Sequence, residues 1–347
     1  MKTGIIGLPQ VGKTSLFKIL TKAKTESFGH SREAHIGIAK VPDHRLDQLA
    51  AQANTRKTVY ATVEYADLAA IGEEALKETS FLTSLRNVDA IIHVLRAFDD
   101  DPIPHVGPIA PLRDLGQIDK RLERVAKDMK KQKTADLERE HALLLRCKAQ
   151  TESEKPLREM ELTADEKKLI RGFMFLSQRP ILYVLNISES TALGTDVEAA
   201  VAKYGLTEAA ARPNSGATAI CGKVEAELAE MEDDEAAEFL EGYGLTESGL
   251  VRLIRKSYEL LGLASFFTVG EPETRAWTIP LNCRAQEAAG AIHSDLEKHF
   301  IRAETIHWDT LLAAGSEAAA RAAGTLRLEG KDYPVKDGDV LNIRHSG

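Results

Sequence analysis

Cysteine is scarce: only Cys147, Cys221 and Cys283 occur in 347 residues, and no two of them form a C-x-x-C pair. Neither a zinc site nor a disulfide framework is suggested, and a reducing compartment is expected. Long apolar runs are also missing. Stretches such as Ala90-Ile91-Ile92 and Ile181-Leu182-Tyr183-Val184-Leu185 fall far short of the roughly 20 residues that cross a bilayer. No signal-peptide pattern precedes the strand expected right after Met1-Lys2, so a cytoplasmic protein without a membrane partner is the expectation. Nor is there an excess of positive charge. A net charge of −8 and a sequence pI near 5.8 argue against a protein that coats nucleic acid, so no specific DNA partner is expected and any RNA contact must be focal. No internal repeat or low-complexity tract is visible, and 347 residues favour two or three domains.

What is present begins at once. Gly7, Leu8, Pro9, Gln10, Val11, Gly12, Lys13 and Thr14 read G-x-x-x-x-G-K-[ST], a phosphate-binding loop. Thr3-Gly4-Ile5-Ile6 before it reads as a buried strand, and Ser15 to Leu20 after it has helical spacing, the context that the motif requires. The glycines let the backbone wrap closely, so that successive N–H groups and the positive helix end face an anion. Lys13 is then placed for the β- and γ-phosphates and Thr14 for Mg²⁺, the expected cofactor.

The rest of the chain alternates. Runs at 36–41, 59–68 and 89–95 read as strands between helical stretches at 46–53 and 75–85, which favours a parallel sheet covered by helices. The rhythm changes where Leu115, Ile118, Leu122, Val125 and Met129 recur at three- and four-residue spacing in a charged stretch, followed by a second helical segment from Ala135 to about Ala149. That pattern predicts an inserted helical hairpin with a narrow apolar seam, a coiled-coil arm. It carries Lys120, Arg121, Arg124, Lys127, Lys130, Lys131 and Lys133, a local positive excess that could be a solvated face or a contact for RNA phosphates. Strands at 181–185 and 217–221 resume the sheet. Beyond the helical run at 250–261, strands at 266–269, 276–279 and 340–344, a short helix at 286–292 and a hairpin over 325–333 turning at Glu329-Gly330 fit a small β-grasp module. The expected domains are therefore a nucleotide domain in two parts, 1–112 and 179–263, an inserted arm at 113–178, and a β-grasp domain at 264–347.

Asp67 ends an apolar strand, where a carboxylate can hold the Mg²⁺ shell, and begins Asp67-Leu68-Ala69-Ala70, close to the D-x-x-G of switch GTPases. Asn186-Ile187-Ser188-Glu189 stands at the end of a later strand, where such proteins carry the base-reading N-K-x-D. In a GTPase that Asp accepts the guanine N1–H and N2–H₂. Here Ile187 replaces the Lys, and Glu189 displaces the carboxylate by one methylene, a change of about 1–3 kcal/mol that can erase a guanine preference. ATP is expected to bind at least as well as GTP.

Along nearly its whole length the chain resembles the YchF family of Obg-like ATPases. The resemblance is carried by Gly7-Leu8-Pro9 with Val11-Gly12-Lys13, Val41-Pro42-Asp43, Ala61-Thr62-Val63-Glu64, Asp89 to Val94, Val224 to Leu228, Arg275 to Pro280, Phe300 to Glu304 and Leu326 to Tyr333. It implies a TRAFAC-class P-loop ATPase with a helical arm and a C-terminal TGS domain, associated with ribosomes through the large subunit or the 70S particle and with stress responses. The nucleotide contacts expected on this basis are Gln10, Val11, Gly12, Lys13, Thr14, Ser15, Asn186, Ile187, Glu189 and Cys221, with Thr14, Ser31 and Asp67 around Mg²⁺ and Lys13 and His105 in catalysis. Departures are visible: Gln10 stands for the family's usual Asn, Ala70 for the Gly of D-x-x-G, and Ser31 for the switch Thr. Ile71 has no polar group to orient water, as the family also shows. Slow or partner-stimulated hydrolysis fits these changes, and so does an ATP-regulated binding scaffold with vestigial hydrolysis. A small-molecule kinase is disfavoured because nothing resembles a substrate lid.

Overall fold

The computed structural model describes residues 1–22, 35–68, 84–98, 109–192 and 196–346. The chain divides into two compact units, Met1–Gly37 with Tyr65–Leu253 and Ile38–Glu64 with Ile254–Gly347. In chain order the strands and helices begin with β1 (Lys2–Gly7), α1 (Lys13–Thr21), β2 (His35–Lys40), α2 (His44–Gln52), β3 (Thr58–Val59), β4 (Thr62–Asp67) and β5 (Ala90–Ala97). Next come α3 (Ile109–Lys131), α4 (Ala135–Glu152), α5 (Ala164–Ile170), β6 (Ile181–Ile187), α6 (Glu189–Ala192), α7 (Val197–Lys203), α8 (Thr207–Ala210), β7 (Ser215–Ile220), α9 (Gly222–Leu228), α10 (Asp233–Gly242) and α11 (Gly249–Leu260). The C-terminal elements are β8 (Leu263–Thr268), β9 (Thr274–Pro280), α12 (Ala285–Ile292), α13 (Ser294–Lys298), β10 (Phe300–His307), α14 (Trp308–Ala314), α15 (Glu317–Ala322), β11 (Arg327–Glu329) and β12 (Asp339–His345).

One six-stranded sheet has the order β2-β4-β1-β5-β6-β7. β1, β5, β6 and β7 pair in parallel, with Ile5 opposite Ile92 and Leu182 opposite both Ile92 and Gly216. These strands are nearly continuous apolar runs because helices cover both faces of a parallel sheet. The strand tips therefore converge on one edge, where β1, β4 and β6 deliver Gly7, Asp67 and Asn186. The inserted arm is confirmed as α3 and α4. Its seam buries Ile118, Val125, Leu143, Leu144 and Cys147 together with Leu157, Ile170 and Phe175 from the segment that follows. At the arm's base the buried carboxylate of Asp114 accepts hydrogen bonds from the Leu176 and Ser177 N–H groups (3.0 and 2.7 Å) and from the Ser177 hydroxyl.

The second unit has sheet order β11-β10-β12-β8-β9-β3, with β12 parallel to β8 and the β8–β9 and β10–β12 pairs antiparallel. With α12 packed on it through Ala285, Ala288 and Ala289, this is the β-grasp arrangement. Two expectations change. The hairpin over 325–333 does not form: β11 pairs with β10, whereas the segment after Gly330 turns away. It bonds instead to residues 283–286, through Ala285 N–H to Tyr333 O at 2.8 Å and Val335 N–H to Cys283 O at 2.9 Å. The sequence-based boundaries also assign 38–64 to the nucleotide domain, yet these residues group with the C-terminal unit. There β3 pairs with β9, and the Gln52 amide donates to the Leu311 and Leu312 carbonyls of α14.

All three cysteines are free and buried, and no metal-binding cluster of three or more His, Cys, Asp or Glu occurs among the described residues. Among the same residues no helix is long and apolar enough to cross a membrane.

Candidate nucleotide-binding site

The glycine loop joins β1 to α1. Gly12 is in the left-handed region at φ 91°, and a Cβ there would lie 2.4 Å from the Asn186 Nδ2, so only glycine fits. Gly7 is equally constrained, since a Cβ would meet Val11 Cγ2 and the Val94 carbonyl at 2.8 Å. Gln10 is also left-handed, φ 64°, a conformation that Asn adopts more readily than Gln. Among the described residues no side-chain hydrogen bond caps the α1 N-terminus. The N–H groups of Lys13, Thr14 and Ser15 and the positive end of the helix dipole thus remain available to an anion.

Lys13 and Asp67 are both buried and form an ion pair, Nζ to Oδ1 at 2.5 Å. β4 places that carboxylate beside the loop, and the Leu68 N–H bond to the Ile5 carbonyl (3.2 Å) secures its strand end against β1. Thr14 is exposed in the first turn of α1. A hydroxyl and a carboxylate, both hard oxygen donors, next to an anion-binding helix end suit Mg²⁺ better than a softer metal.

Asn186 is the second organising residue. It is buried at the end of β6, where its Nδ2 donates to the Val11 carbonyl at 3.0 Å and its Oδ1 accepts the Gly222 N–H at 3.0 Å. One amide therefore braces the glycine loop against the loop after β7. The other expected base-loop residues behave differently. The Ile187 side chain is buried in a cluster with Ala97, Leu185 and Ala192, and Cys221 lies in the same cluster, where burial pushes its thiol pKa up. Neither side chain faces outward. Glu189 is partly exposed and bonded to Lys223 at 2.7 Å. Lys223 was not evident from the sequence, since its only signal is its place just after a strand end, far from Glu189 in the chain. Ser31, Ala70, Ile71 and His105 lie outside the described residues.

The basic arm is sorted by the structure. Arg121 is engaged by Glu140 through two hydrogen bonds of 2.6 and 2.9 Å, Lys133 pairs with Glu138 at 2.7 Å, and Lys131 lies 4.0 Å from Asp128. Lys120, Arg124, Lys127 and Lys130 are exposed and form no ion pair among the described residues. At spacings of four, three and three they lie along one side of α3.

A parallel sheet, a glycine loop opening a helix, a lysine paired with the carboxylate that ends β4 and an asparagine bracing the loop define a P-loop nucleoside triphosphatase. Residues 2–137 match a family profile described as "50S ribosome-binding GTPase", and residues 263–346 match the YchF-type C-terminal profile, described as a protein of unknown function. The chain is 44% identical to the protein named ribosome-binding ATPase YchF of Bacillus subtilis over 99% of both chains, and 40% identical to that of Escherichia coli O157:H7 over 99% of this chain and 98% of the relative. The structure of the Schizosaccharomyces pombe YchF GTPase superposes with a TM-score of 0.83 at 27% identity, covering 99% of this chain and 97% of that one. The chain belongs to the YchF family.

Proposed function

We propose that the protein is a cytoplasmic Mg²⁺-dependent ATPase that acts as a nucleotide-gated switch with ribosome binding as its output. The carrying observation is the Asn186 brace between the glycine loop and the loop after β7, with Glu189 beside it tied up by Lys223. This base-reading loop has neither the Lys nor the free Asp that select guanine. The names of the bacterial relatives, ribosome-binding ATPases, support the same reading.

In this scheme the α1 N–H groups and Lys13 hold the β- and γ-phosphates, which requires Lys13 to exchange Asp67 for phosphate oxygens. Thr14, Asp67 and Ser31 would hold Mg²⁺, which neutralises charge on the β- and γ-oxygens. Asn186 keeps the loop closed around them. His105 is proposed to position the attacking water. The exposed cations of α3, together with the TGS domain, are proposed as the ribosomal contact.

Calorimetry with ATP and GTP, with and without Mg²⁺, tests the nucleotide half: GTP bound more than about tenfold tighter, roughly 1.4 kcal/mol, overturns it. Co-sedimentation with ribosomes in ATP, ADP and no nucleotide tests the switch. Single-turnover hydrolysis with and without ribosomes separates an ATPase from a regulated scaffold whose hydrolysis is vestigial.

A further inference from the structure

The loop after β6 and the loop after β7 are joined by two side-chain links. One is the Asn186 bond to the Gly222 N–H, partly buried and 3.0 Å long. The other is the ion pair between Glu189 at the start of α6 and Lys223 in the first turn of α9, 2.7 Å long, with side chains 36% and 65% exposed. The hydrogen bond to Glu189 raises the Lys223 pKa, so the ammonium stays charged across the physiological range.

We propose that Lys223 biases base choice against guanine by holding the Glu189 carboxylate and withdrawing the acceptor that a guanine edge requires. The inference rests on the reading of this loop as the base-reading element of an ATP site. Guanine presents two donors on that edge, N1–H and N2–H₂, which match a free carboxylate. Adenine presents an acceptor at N1 and no amino group at C2, so it cannot supply this donor pair. The extra methylene of Glu189 alone displaces the carboxylate without silencing it, because a flexible side chain can swing back. An ammonium bonded to it opposes that swing and neutralises its charge. Guanine must therefore break the pair before Glu189 can accept from it, whereas adenine leaves the pair intact.

The pair is at the surface, which sets the size of the effect. Exposed ion pairs contribute little, so discrimination of only about threefold is expected from Lys223. ATP and GTP carry the same phosphate charge, and the ratio of their affinities cancels every contribution from the glycine loop.

The test measures ATP and GTP affinities by calorimetry at about 50 and 500 mM salt for wild type, K223A, K223R, E189Q and the K223A/E189Q double variant. K223A is expected to shift the GTP-to-ATP affinity ratio about threefold toward GTP. K223R keeps the wild-type ratio, and K223A has no further effect once Glu189 is Gln. The wild-type ratio moves toward GTP as salt screens the pair, while that of K223A stays flat. A merely structural pair would lower both affinities together and leave the ratio unmoved, which overturns the proposal. Wild type favouring ATP with an unmoved K223A ratio rejects the role of Lys223 alone, whereas wild type binding GTP more than tenfold tighter rejects the ATP reading and this inference with it.

Discussion

Lys13 illustrates how one side chain can serve two states. Its ammonium is buried against Asp67, so its removal leaves a carboxylate with 5% side-chain exposure without its cation. Lys13→Ala is therefore expected to abolish tight nucleotide binding and also to destabilise the nucleotide-free protein by about 2–3 kcal/mol in urea denaturation. Removing Asp67 as well should recover part of the stability and none of the affinity. An unchanged ATP affinity for Lys13→Ala in calorimetry would sink the phosphate-loop assignment. The motif showed Lys13 and Gly12 in the sequence, because each is required by local geometry. It did not show that Gly12 is hemmed in by Asn186, 174 positions away in the chain, since that contact exists only once β6 lies in its place in the sheet.

At the scale of elements, the arm was legible from its three- and four-residue apolar spacing: of the residues expected in its seam, Ile118 and Val125 are buried and Leu122 and Met129 pack against them. Which of its cations are unpaired was not legible, because pairing depends on which face of α4 meets α3. Charge reversal of Lys120, Arg124, Lys127 and Lys130 is expected to weaken ribosome association, with ATP affinity unchanged. Each real phosphate contact lowers the slope of log affinity against log salt by about 0.7–0.9. Reversal of Lys133, already bonded to Glu138, should have less effect. If neither affinity nor slope responds, the stripe is a solvated face and the TGS domain becomes the candidate contact. The arm's base makes a separate prediction. Desolvation raises the Asp114 pKa above 3.8, and the hydrogen bonds from Ser177 and Leu176 only partly oppose it. Its folded pKa lies above the unfolded one, so its contribution is full in acid and declines as pH rises through the folded value. The stability lead of wild type over Asp114→Asn should therefore narrow from about pH 4 to pH 7. A lead that widens over that range would mean that Asp114 is favoured as the carboxylate.

At the scale of the whole molecule, the C-terminal unit is discontinuous in sequence. Burial works against the charge of Arg45, and hydrogen bonds to Asp43 and Asp337 overcome it, leaving its pKa raised. Arg45 Nη1 bonds Asp337 at 2.6 Å, Asp337 in turn accepts the Ser265 N–H at 2.8 Å, and the guanidinium stacks over buried Phe267. Arg45→Ala is expected to destabilise this unit by about 1–3 kcal/mol. Hydrogen exchange should quicken in β8 and β12 but not in β1 or β5, and ATP affinity should hold. Equal acceleration in β1 would show that residues 38–64 serve the nucleotide unit instead.

The sequence by itself determined the phosphate loop, the alternation of a parallel sheet, the arm and the class of ligand. Each of these is written in local spacing or in residues a few positions apart, where backbone geometry and periodicity act directly. Only the tertiary structure decided which carboxylate neutralises Lys13, which lysine holds Glu189, that Ile187 and Cys221 turn their side chains into the core, and that 331–335 pairs with 283–286 rather than closing a hairpin. Those outcomes depend on contacts between residues far apart in the chain, whose proximity is set by strand order and helix packing and leaves no mark in the local pattern.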